Sequence, residues 1–86
     1  ASQVKLLLEA EGLEAFEEKF EPQFKVKEHR HPFCEVRIIV EGEMLFSVSG
    51  SQFLLRAGDR IEIPGNTKHA HSNQVECVCI CAHRAI

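Results

Sequence analysis

Turn-forming residues recur along this chain at intervals too short for helices of ordinary length. His31-Pro32, Glu41-Gly42-Glu43, Ser49-Gly50-Ser51, Ala57-Gly58-Asp59, Pro64-Gly65-Asn66 and Ser72-Asn73 each combine residues that favour turns. The runs around and between them, residues 24–28, 35–40, 44–48, 52–55, 60–63, 69–71 and 76–82, are short and mostly β-favouring. Such spacing predicts an all-β chain folded as a sandwich or barrel.

Residues 1–20 carry a mixed signal. Val4, Leu7 and Leu8 fit one helix face and Leu13, Phe16 and Phe20 another, with Gly12 as a break. Phe16, Phe20, Phe24 and Val26 also share even positions, as a strand face does. The expectation is a short helical or irregular lead followed by a strand ending near Glu21-Pro22. The end of the chain, residues 83–86, is expected to fray. With no repeat, linker or low-complexity tract, residues 1–86 read as a single domain.

A chain of 86 residues has room for one modest core, since a domain this small buries only about 60–65% of its unfolded surface. The 44% hydrophobic and 27% charged content is that of a soluble globular protein. No apolar run approaches the ~18 residues of a membrane span, and Glu9 and Glu11 interrupt the Leu6-Leu7-Leu8 run before it could serve as a signal-peptide core. The net charge is −3 and the ten basic residues are scattered, so no nucleic-acid footprint is expected. Cys77, Cys79 and Cys81 alternate, which on a strand puts them on one face with Val78 and Ile80 opposite, poorly placed for unstrained bridging. Cys34 alone does not complete a four-thiolate zinc site. Reduced, buried thiols and a cytoplasmic location are the expectation.

The chemistry concentrates in four donors. His29, His31 and Glu35 share odd positions, so an extended segment projects them from one face, and His69 adds a fourth from a distant turn-flanked run. Three imidazoles and one carboxylate suit one divalent transition-metal ion, zinc, nickel, iron, manganese or copper, with coordination positions left open. His71 shares the parity of His69, and reads as a supporting donor, a pocket base or a merely solvated residue. Arg37 shares a face with Glu35; its guanidinium would either hold a substrate carboxylate or pair with Glu35. Phe33, Met44, Phe46 and Phe53 read as core and pocket lining. Ser47, Ser49, Ser51 and Ser72 lie in no nucleophile elbow, which argues against covalent hydrolase chemistry.

The stretch His29-Arg30-His31-Pro32-Phe33-Cys34-Glu35 followed by Gly42 resembles the first motif of the cupins, and Gly58, Pro64, His69 and Asn73 resemble the second in order and spacing. Gln23 stands where the first motif usually opens with Gly, and Asn66 where the second usually has one. The resemblance implies a double-stranded β-helix (jelly-roll) barrel with the metal on His29, His31, Glu35 and His69.

Three classes of function follow from that resemblance. One is a metal-dependent enzyme, such as a dioxygenase, isomerase or decarboxylase, acting on a small oxygen-rich molecule, with or without a carboxylate. Another is a non-catalytic small-ligand-binding or sensory module. The third, a storage role, fits poorly, because the two-domain storage proteins of that superfamily carry a second half. A homodimer is also expected. Val36, Ile38, Ile39 and Val40, and again Cys77 to Ala82, are apolar on both parities, so something must cover the second face of their sheet, either a second copy or residues 3–20 folded back.

Overall fold

The computed structural model describes residues 2–84 and runs α1 (Ser2–Ala10), β1 (Ala15–Phe20), β2 (Lys25–His29), β3 (Cys34–Glu41), β4 (Glu43–Val48), β5 (Ser51–Arg56), β6 (Arg60–Ile63), β7 (His69–Ser72) and β8 (Cys77–Arg84). The strands form two four-stranded antiparallel sheets, ordered β1-β8-β3-β6 and β2-β7-β4-β5. This is the expected jelly-roll barrel. The helical lead is also present. The expectation of fraying at residues 83 and 84 is corrected: β8 continues through Arg84, because Cys34 and Glu35 of β3 pair with Arg84 and His83. Residues 85 and 86 lie outside the described residues.

Parity decides what each sheet buries. On β8, Cys77, Cys79 and Cys81 point inward and are fully buried with Phe20, Ile39, Met44, Phe46 and Ile63. Val36, Ile38, Ile80 and Ala82 point outward. That outer apolar face is covered within the chain by Leu8, fully buried, with Val4 and Leu13 packed beside it. The fold-back of the N-terminal segment therefore meets the need for a cover that had pointed to a second copy. Leu7, expected on the packed helix face, is 58% exposed: the helix docks through Leu8 and Val4.

The helix ends in a Schellman motif. Leu13 N–H donates to Leu8 O (3.2 Å) and Gly12 N–H to Glu9 O (2.9 Å), with Gly12 at φ +84° and Leu8 meeting Leu13 in one apolar cluster. Arg60 then grips Glu11 through two hydrogen bonds of 2.7 and 2.9 Å, and Arg84 adds a third at 3.2 Å, tying the helix end to β6 and β8. Gly42 links β3 to β4 at φ +78°, where a Cβ would run into the carbonyl oxygen of Glu76. Gln23 and Asn66 take left-handed backbone themselves, at φ +63° and +57°, so both turns keep their shape without glycine.

Candidate metal centre

His29, His31 and His69 reach one place from three directions. His29 ends β2, His31 sits on the loop before β3, and His69 opens β7. A β-bulge makes the meeting possible. Val26 opposes His71 and His29 opposes His69, so three steps on β2 match two on β7, and the parity of β2 reverses between them. The loop bearing His31 is pinned from the second motif, where Asn66 N–H donates to His31 O at 2.8 Å. Asn73, the last residue of that motif, is structural: its amide donates to Glu21 O and Val75 O, each at 2.8 Å.

One ligating nitrogen from each of the three rings lies within 4.8 Å of the others. The hydrogen bonds assign which. Nδ1 of His29 and of His69 each contact a carbonyl oxygen, of Lys27 and Thr67, at 2.8 Å, and Nδ1 of His31 contacts Phe33 O at 3.3 Å. A carbonyl only accepts, so Nδ1 carries the proton, and in the neutral ring Nε2 is left as a lone pair. His69 is 1% exposed and its Nε2 is buried with no partner among the described residues. Burial lowers its pKa, which favours the neutral, ligating form. Nε2 of His31 faces Glu35 Oε1 at 3.1 Å. Lone pairs of imidazole and carboxylate stand together only when a cation is shared between them, a proton or a metal ion. The donor set fits a divalent ion.

Glu35 lies beside the three-histidine group rather than within it. Its Oε2 accepts from Arg37 Nε at 2.7 Å. Burial works against its negative charge, but the attraction and hydrogen bond of Arg37, with His69 and His31, outweigh it and hold the carboxyl below its ordinary value. Of the two roles open to Arg37, pairing with Glu35 is the one the geometry provides. Its Nη1 also meets Glu18 Oε1 and Cys81 Sγ, both at 3.1 Å.

The remaining expected site residues divide by depth. Phe33 stacks on His31, with centroids 4.1 Å apart and planes 7° from parallel. His71 is buried beneath, edge-on to Phe20 and near Phe46, and burial, aided by Arg37, pushes its pKa down to about 4. Phe46 is fully buried in the core, its ring centroid 5.4 Å from that of His71. One mouth residue was not anticipated. His83 pairs with Glu35 across β3 and β8 and packs on Phe33 with centroids 4.2 Å apart. Its signal was the parity of Cys77, Cys79 and Cys81, which continues to 83 once fraying is discounted.

Among curated proteins the chain is 42% identical over 59 residues to the acireductone dioxygenase of Alcanivorax borkumensis, covering 64% of this chain and 30% of that protein. It is likewise 42% identical over 48 residues to the acireductone dioxygenase of Bacillus licheniformis, covering 50% and 27%. The chain thus spans less than a third of the curated relatives it matches. Among solved structures, an RmlC-like cupin from Shewanella frigidimarina superposes with a TM-score of 0.79 at 26% identity, over 86% of this chain and 67% of that one. The family model described as Cupin domain matches residues 16–83, from the second residue of β1 almost to the end of β8 and including all four expected ligands, and the chain belongs to the cupin family.

Proposed function

We propose that the chain is a metal-dependent cupin in which His29, His31, Glu35 and His69 hold a single divalent transition-metal ion and a small oxygen-rich molecule binds beside it. The observation that carries this reading is the buried, unpartnered Nε2 of His69, aimed with two other Nδ1-anchored imidazoles at one place. A divalent ion there would supply Lewis acidity or, as iron, a centre for dioxygen activation. The protein's own contribution is orientation and exclusion of water. Backbone carbonyls fix the three ring tautomers, Arg37 fixes Glu35, and Phe33 with His83 forms an aromatic wall beside His31.

Turnover is supported by the relatives, both named as dioxygenases. A non-catalytic ligand-binding role at the same site is the second reading, in keeping with the buried apolar side chains of Phe46, Met44 and Ile39 that pack the interior. The free cysteines fit a reducing, cytoplasmic setting.

Metal analysis of protein purified without an affinity tag tests the reading. Wild type is expected to hold a single ion per chain, and His69→Ala to lose it while its circular dichroism still reports a folded barrel. Equal metal content in the variant, or none in wild type offered metal, would reject the site.

A further inference from the structure

The guanidinium of Arg37, two residues from a metal-ligand candidate, is held through two of its three nitrogens. Only 7% exposed, it donates from Nε to Glu35 Oε2 at 2.7 Å, and Nη1 lies 3.1 Å from both Glu18 Oε1 on β1 and Cys81 Sγ on β8. Its Cζ lies 5.5 Å from the Phe20 ring centroid. Guanidinium donors have a rigid planar arrangement, so pinning Nη1 between β1 and β8 also fixes the direction in which Nε–H points. Glu35 must meet that direction. One of its oxygens is thereby taken, and the other faces His31 Nε2 at 3.1 Å.

We propose that Arg37 is a positioning residue for Glu35: by retaining Oε2 it leaves Oε1 alone to face His31, at the edge of the histidine group, so that Glu35 can fill one coordination position and not two. The inference rests on the reading of Glu35 as the fourth ligand. Its consequence is that Arg37 keeps a place free for a substrate oxygen without touching substrate itself. A simple neutralising charge would do neither, and Lys, a compact ammonium on a flexible stem, separates the two roles.

Co2+ titrated into the purified protein is a suitable probe, because its visible absorption weakens as coordination number rises. Arg37→Met is expected to weaken Co2+ binding about 10–100-fold, as losses of outer partners of metal ligands do, and to change the spectrum. Arg37→Lys is expected to recover affinity but not the wild-type spectrum. Glu18→Gln, which takes the charge from one anchor of the guanidinium at the barrel surface, should move the spectrum the same way by less. It serves with Arg37→Lys if Arg37→Met does not fold.

Wild-type spectra in Arg37→Met or, should that variant not fold, in both Arg37→Lys and Glu18→Gln would overturn the proposal. Full recovery of spectrum and affinity by Lys would also overturn it, leaving Arg37 a neutralising charge only. Glu35→Gln separates this from the underlying reading. Unchanged Co2+ binding in that variant removes Glu35 from the ligand set, whereas altered binding there with wild-type behaviour at position 37 rejects the positioning role alone.

Discussion

At the scale of single residues, His71 makes a prediction about acid. In the folded chain it is buried and its pKa falls from 6.5 to about 4. The unfolded chain therefore takes up a proton as pH drops below the ordinary value, while the folded chain resists until about pH 4. Stability of the metal-free protein is expected to be present above pH 6.5 and to be lost on descending toward pH 4, by at most about 3 kcal/mol. Urea unfolding at about pH 7.5 and about pH 5 measures it. A flat profile, or an equal slope in His71→Gln, would rule His71 out as the cause. Glu35, lowered rather than raised, contributes in the same direction but only below 4.5. The four ligand candidates were legible because their motif spacing is a property of the sequence itself. What the spacing could not carry is the direction of each ring: three Nδ1 contacts to local carbonyls, and the contacts of Arg37 to β1 and β8, exist only after folding.

At the scale of elements, the runs read from turn residues reproduce the strands to within one or two residues at each end, and β6 at both ends. Turn chemistry is local, and so is visible without tertiary contacts. The bulge in β2 is not visible there: odd parity alone groups His29, His31 and Glu35, whereas a reversal of parity places His29 opposite His69. This gives a prediction about chain length in β2. Lys27 and Glu28 are exposed, so deleting Glu28 removes no core contact. It should restore a regular ladder in which Val26 still opposes His71 and His29 still opposes His69, so that His29 keeps its inward face. The expected result is a folded protein that binds added Zn2+ as wild type does, as Glu28→Ala also should. Isothermal titration decides, and a clear loss of affinity in the deletion but not in Glu28→Ala would show that the extra residue of the bulge itself sets the site.

At the scale of the whole molecule, the outer face of the first sheet already has its cover in α1, so a dimer must rest on other surface. The remaining candidates are Leu45 and Leu54, opposite one another on β4 and β5 and 37% and 47% exposed, and Leu6 and Leu7 on the helix. A homodimer through these faces remains our expectation, and light scattering at micromolar concentration checks it: a mass near 9.7 kDa rejects it and twice that supports it. The pairing of β1 with β8, which sets Ala15 opposite Ala82, has a consequence in time. Neither strand can find its partner until nearly the whole chain between them has been made. Such long-range closure places folding in the slow range of milliseconds to seconds. While a nascent chain waits for β8, β3 is paired along one edge only, with β6, and Arg37 lacks the thiol of Cys81.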